Sequence, residues 1–229
     1  MEWDQKKELL RMLHEDWSSC SRCDLCDPKG RRRHNVVFGE GNLDAQVVIV
    51  GEAPGHNEDL TGDPFVGKAG KLLDSFLETV GVTRDEVYLL NILGCWPTEE
   101  GTPKKTRTPA KTEIKKCLPR VHRTIEIIDP YVLLLLGNVA LKALTKEKKG
   151  ITTYALDDRL PVLAAYTQGL HAEVRRPAFA TFHPAALLRN WDQAEDGPLD
   201  LSLKTWDRAF RVADKHSQLY KGTTPRFSA

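Results

Sequence analysis

Apolar positions along the chain follow two periods. Val47-Val48-Ile49-Val50, Val87–Leu93, Val132–Gly137 and Phe179–Phe182 are short, nearly continuous apolar runs. Runs of this length, rich in β-branched residues, predict strands buried on both faces, as in a parallel sheet. Lys71–Gly81 instead repeats its apolar residues at helical spacing and ends on a glycine stop. A helical pattern follows each of the first three strands. That alternation predicts an α/β fold, a three-layer αβα arrangement around a central, mostly parallel four-stranded sheet. The N-terminus reads as a short amphipathic helix. Ser202–His216, with Leu203, Trp206, Phe210 and Ala213, reads as a terminal one. Within residues 146–176, Lys146–Gly150 reads as the end of a helix, Ile151–Arg176 has no clear period apart from a candidate strand at Pro161–Tyr166, and a hairpin over the edge of a pocket is expected. The length suits one domain over residues 1–219 with that inserted segment, and residues 220–229 read as a disordered tail.

The strand ends carry the chemistry. Val47–Val50 runs into Gly51-Glu52-Ala53-Pro54-Gly55-His56-Asn57-Glu58-Asp59, a stiff turn with an acidic residue at its start. In open α/β sheets ligands bind outside the carboxyl ends of the strands. A second Gly/Pro-rich loop, Gly62–Gly70, has Phe65 at its centre and opens a helix, a setting suited to phosphate or carbonyl oxygens. Asn91 and His183 sit at or just past the ends of two other strands. Glu52, Asn91, His183 and Phe65 are therefore expected to converge at one edge of the sheet.

Charge alters this picture little. The chain has 33 basic and 32 acidic residues, so net charge does not mark a nucleic-acid binder. Local basic groups at Lys29–Arg33, Lys104–Lys116 and Arg175-Arg176 fit modest, salt-sensitive contacts with a phosphate backbone. There is no apolar run of about eighteen residues and no secretory signal. The expected compartment is the cytoplasm, with association to the nucleoid, where thiols stay reduced. In that setting five cysteines point to a metal site before disulfides. Cys20-x-x-Cys23, Cys95 and Cys117 form an S4 donor set that suits zinc or an iron–sulfur cluster, and spacing alone does not separate the two. Cys26 is surplus and reads as a simple buried thiol. The loop Trp96–Lys111, between Cys95 and Cys117, is too polar to hold itself by apolar burial.

Several tracts, in order, resemble the family 4 uracil-DNA glycosylases, the iron–sulfur branch of the uracil-DNA glycosylase superfamily. They are Gly51–Asp59, Gly62–Gly70, Val87–Cys95, Arg107-Thr108-Pro109 with Glu113–Cys117, Pro130–Gly137 and Thr181–Arg189. The resemblance covers roughly residues 20–145 and 177–212. It implies removal of uracil from single- or double-stranded DNA by base flipping, leaving an abasic site. It assigns Glu52 to the water and the cationic sugar, with Glu58 and then Asp59 as the other carboxylates. It assigns His183 to uracil O2, Asn91 to the base edge and Phe65 to stacking, with Gly51, Ala53, Pro54 and Gly55 lining the base site. Leu187 or Leu188 would wedge into the DNA stack. Cys20, Cys23, Cys95 and Cys117 would ligate a structural 4Fe–4S cluster. A monomer is expected.

The chain departs from the pattern at Gly94 and Trp96, where the family tends to be basic, and lacks an Arg-Gly near residue 146. These departures bear on DNA affinity and substrate range. The alternative reading is a non-catalytic iron–sulfur protein that binds damaged or single-stranded DNA; a thiolate-zinc organiser of a replication complex is a further rival.

Overall fold

The computed structural model describes residues 1–26, 35–99, 102–155, 163–169, 172–189 and 197–221. The basic run Lys29–Arg33 and the last eight residues of the expected tail lie outside them.

Helix α1 (Trp3–Ser18) opens the chain. Short strand β1 (Glu40–Gly41) and strand β2 (Val47–Gly51) follow, then helices α2 (His56–Thr61) and α3 (Lys68–Thr79) and strand β3 (Tyr88–Asn91). Strands β4 (Thr98–Glu99) and β5 (Thr102–Thr106) form a separate antiparallel pair before helix α4 (Lys111–Ile128). Strand β6 (Val132–Leu136), helices α5 (Gly137–Leu144) and α6 (Ile151–Ala155), and strands β7 (Leu163–Gln168) and β8 (Glu173–Thr181) come next. Helices α7 (Pro184–Leu187) and α8 (Pro198–Lys221) close the described chain.

The main sheet has the order β1-β3-β2-β6-β8-β7. Its centre, β3-β2-β6-β8, is parallel throughout. These are the four strands expected from the apolar runs. Among the described residues the sheet nevertheless has six strands, because β1 and β7 add antiparallel edges. Pairing of β7 runs from Leu163 opposite Ala178 to Gln168 opposite Glu173, toward the start of β8. The β7–β8 pair therefore widens the sheet, and the end that joins the two strands lies away from the carboxyl ends of the parallel strands. The Trp96–Lys111 loop also contains a hairpin, β4–β5, where no strand was expected.

Strand residues alternate between two apolar cores. Val48, Val50, Leu133 and Leu135 face α1, α4 and α5 through Leu10, Val121, Ile125 and Leu141. Val47, Ile49, Leu134 and Leu136 face α3 and α8 through Leu73, Phe76, Leu77, Trp206 and Phe210. Burial on both faces explains why these strands lack polar alternation. It also makes the three layers expected from sequence.

Helix α1 is latched at its start by Lys6. Its Nζ donates to Leu43 O at 2.9 Å, Asp44 Oδ1 at 2.8 Å and Ile128 O at 3.0 Å, using all three ammonium protons. The far end of α1 leads directly to Cys20.

Candidate active site

Strand order reverses between β2 and β6, and a cleft of about 770 Å³ opens at their carboxyl ends. This is the crevice that the topology of an open α/β sheet provides for a ligand. Glu52 to Glu58, Phe65, Asn91, Gly137, His183 and Arg189 line it.

The β2 turn is fixed by its neighbour. Ile92 N donates to Gly51 O, and Leu93 N to Glu52 O, both at 3.0 Å. Gly51 lies in register with Asn91. A Cβ on residue 51 would stand 2.4 Å from Asn91 Oδ1 and 2.6 Å from the Phe65 ring. Only glycine lets the amide and the aromatic face approach the turn so closely. Asn91 is 4% exposed, and its Oδ1 is buried without a hydrogen-bond partner.

Phe65 has a left-handed backbone, φ 55°. For a bulky residue this costs roughly 1–3 kcal/mol, so its surroundings must hold it there. Two features do so. Arg84 Nη2 donates to Phe65 O at 2.6 Å while its guanidinium also reaches Asp74 and Glu40. Gly70 packs against the same carbonyl so tightly that a Cβ would lie 1.7 Å from it. The Phe65 ring is thereby aimed at His183, with centroids 6.5 Å apart and planes 25° from parallel.

His183 caps α7. Its Nδ1 accepts from Ala185 N at 3.2 Å, so the neutral ring carries its proton on Nε2. That Nε2 is buried and has no partner. Burial, aided by the positive charge of Arg189, pushes its pKa down to about 4. His183 is thus a neutral hydrogen-bond donor at physiological pH. Glu52 shows the opposite shift: burial raises its carboxyl above the usual range, and Arg189 opposes this. Raised and lowered groups facing one cleft are the pattern of an acid–base site.

Glu58 also lines the cleft, but both of its carboxylate oxygens are engaged. Oε2 accepts from Gly55 N at 3.0 Å and Oε1 from Gly67 N at 2.8 Å. It clamps the two glycine loops together. Asp59 is 1% exposed and accepts from Asn35 N at 3.4 Å, away from the cleft. Leu187 is buried among the apolar side chains around Phe65, whereas Leu188 is 43% exposed. In the sequence Arg189 is only the last residue of the Thr181–Arg189 tract. Its link to both titratable groups was not legible, because it depends on the α7 turn bringing residue 189 back over the cleft.

Behind the cleft, Cys20, Cys95 and Cys117 are buried in one apolar cluster with Cys23 packed against it. None of the four is in a disulfide. Burial raises the Cys117 thiol, and Cys20 and Cys23 are close enough to raise it further. Among the described residues, no three such side chains close around one point as a single metal ion would require. The β4–β5 hairpin between Cys95 and Cys117 is tied at its base by Trp96 Nε1, which donates to Thr106 Oγ1 at 2.8 Å. Arg107 Nη1 donates to buried Glu113 at 2.9 Å.

The fold and the cleft define a doubly wound α/β protein with a ligand cleft at its switch point, lined by the carboxyls of Glu52 and Glu58 and by two unpartnered polar atoms. The family model of the Uracil DNA glycosylase superfamily matches residues 38–208, and the chain belongs to that superfamily. The Type-4 uracil-DNA glycosylase of Thermotoga maritima is 37% identical over 185 residues, covering 81% of this chain and 86% of the relative. The Type-4 uracil-DNA glycosylase of Pyrobaculum aerophilum is 39% identical over 79% of this chain and 85% of its own length. That of Archaeoglobus fulgidus is 37% identical over 79% and 84%. The family expected from the order of the sequence tracts is therefore the one found. Among the described residues no helix is long and apolar enough to cross a membrane.

Proposed function

We propose that the chain is a uracil-DNA glycosylase. It hydrolyses the N-glycosidic bond of a flipped deoxyuridine in single- or double-stranded DNA and leaves an abasic site. The observation that carries this is the pair of buried, unpartnered polar atoms, Asn91 Oδ1 and His183 Nε2, in the cleft that Phe65 also lines. Buried polar groups without partners are rare, and at a cleft they mark what a ligand must supply.

Each group has a task. Phe65 stacks on the base. Asn91 presents a donor and an acceptor from one amide to the Watson–Crick edge of uracil, a pattern that cytosine does not match. His183 donates from Nε2 to uracil O2 as the base departs with negative charge. Glu52 orients or deprotonates the water and faces the sugar as it becomes cationic. The turn Gly51-Glu52-Ala53-Pro54-Gly55 forms the wall along the base. Leu188, exposed beyond α7, fills the stack left by the base, and Leu187 supports it from below. Lys68, Arg107 and Arg189 around the cleft meet phosphates.

Incubation with an end-labelled oligonucleotide holding one uracil, followed by alkali, should yield a break at that position and none in a thymine control. An oligonucleotide that binds but gains no alkali-sensitive site would favour the non-catalytic DNA-binding alternative.

The four thiols fit an iron–sulfur cluster. All are thiolate donors from three separate segments, and a buried cation, Arg120, stands beside them to balance their charge. Cys20, Cys23, Cys95 and Cys117 would hold a 4Fe–4S group. When bound, that group fixes both ends of the β4–β5 hairpin and the segment after α1 onto the sheet. Anaerobically purified protein should carry iron and sulfide at about four each per chain, and Cys26→Ala should keep that content. Stoichiometric zinc without iron would refute the assignment. The protein acts as a monomer on nucleoid DNA.

A further inference from the structure

Arg120 lies one turn after Cys117 in α4 and is 1% exposed. A buried guanidinium is costly unless an opposite charge or a full set of acceptors meets it. Its Nη2 donates to Asn91 O at 2.8 Å and to Ile92 O at 3.3 Å, whereas Nε is buried with no partner. Among the described residues no carboxylate pairs with it. The groups near enough to favour its charge once they are thiolates are Cys117, Cys95 and Cys20. The neighbours of Cys95 in sequence, Gly94 and Trp96, bring no cation. The Arg120 guanidinium lies beside Gly94 instead: a Cβ there would be in van der Waals contact with Arg120 Nε, at 3.4 Å.

One side chain thus stands between two sites, one helical turn from Cys117 and hydrogen-bonded to β3. Toward the thiols it offers positive charge. Toward β3 it satisfies the carbonyls of Asn91 and Ile92, where the strand leaves the sheet and its side chain enters the cleft. We propose that Arg120 is the positioning residue that joins the four-thiol centre to the base-reading end of β3. It balances thiolate charge on one side and holds the Asn91 and Ile92 carbonyls on the other. This rests on the reading of the thiols as an iron–sulfur site. Its consequence is directional. Loss of the thiolate charge leaves a buried cation without a counter-charge, and the guanidinium then withdraws from the carbonyls that fix Asn91.

Arg120→Met and Arg120→Lys, purified with their iron, separate the two halves. The first readout is release of iron to an excess of chelator, followed by visible absorbance and independent of activity. The second is single-turnover excision of uracil. Arg120→Met should release iron about tenfold faster and excise about tenfold more slowly, with DNA binding unchanged. Arg120→Lys keeps the charge but cannot span both carbonyls as the planar fork does. It should release iron at the parental rate and still excise slowly.

Parental iron release or parental excision in Arg120→Met would overturn the proposal, and so would recovery of both properties in Arg120→Lys. Should the Met protein fail to fold, the Lys protein alone decides, since a purely structural arginine would lose or keep both readouts together. Parent protein without iron would overturn it as well. Parent protein that holds iron but leaves uracil intact refutes the glycosylase reading instead, and the iron-release comparison still tests the charge.

Discussion

Glu52→Gln is expected to slow single-turnover excision of uracil about a hundredfold or more, the scale of losing one preorganised charged group at the reacting centre. Binding to uracil-containing DNA should change far less, because phosphate contacts carry most of the affinity. The same variant should be as stable as the parent or more so. Burial raises the Glu52 carboxyl above its unfolded value. The stability linked to this group is therefore fully present below the unfolded pKa and is lost as pH rises through the folded one. At neutral pH the ionised carboxylate is a burden on the fold, and a neutral amide removes it. Glu58→Gln should behave in the opposite way. Glu58 accepts from Gly55 N and Gly67 N with its two oxygens. An amide can accept only one of these bonds and turns a donor toward the other. That protein should melt earlier, and its excision should fall because the loops separate. Near-normal excision by Glu52→Gln, with a stable but inactive Glu58→Gln, would transfer the water-activating role to Glu58.

His183→Ala is expected to lose a similar hundredfold in rate, and its pH profile separates donation from acid catalysis. The folded pKa of about 4 keeps His183 neutral across the physiological range. No titration limb near the ordinary histidine value should appear in the rate. The acid limb should belong to Glu52, which must be ionised in its proposed role, and should lie above the ordinary carboxylate range. His183→Ala should lower the whole profile without moving that limb. A limb near pH 6.5 in the parent that disappears in His183→Ala would show that the imidazolium, not the neutral ring, takes part. The stability sign differs from that of Glu52. A lowered histidine pKa contributes stability above the unfolded value, and this is lost as pH falls through the folded one. The parent should therefore lose more stability on acidification to pH 4 than His183→Ala.

The four central strands and the convergence of Glu52, Asn91, His183 and Phe65 were legible in the sequence, because continuous apolar runs and the turns behind them are local signals. The edge strands were less so. β1 has only two residues, and β7 owes its pairing to a hairpin with β8 that no turn dipeptide announces. The roles that depend on distance were hidden. Arg120 reads as one more charge on an amphipathic helix, and nothing local says that it reaches the carbonyls of Asn91 and Ile92. The left-handed backbone of Phe65 follows from Gly70 and Arg84, five and nineteen residues away. Leu187 and Leu188 are indistinguishable by type, and only the short turn of α7 buries one and exposes the other.

The Lys6 latch makes the protein its own reporter of strand and helix assembly. An amine buried with all three protons donated is hidden from acylating reagents, whereas Lys7, its exposed neighbour, offers an internal standard for the same reaction. The latch holds α1 to the loop before β2 and to the end of α4, and α1 leads to Cys20. Acylation of Lys6 relative to Lys7 therefore measures how often the amino-terminal arm lifts from the sheet, and any change at the thiols that loosens the arm at Cys20 will register there as chemistry at the other end of α1.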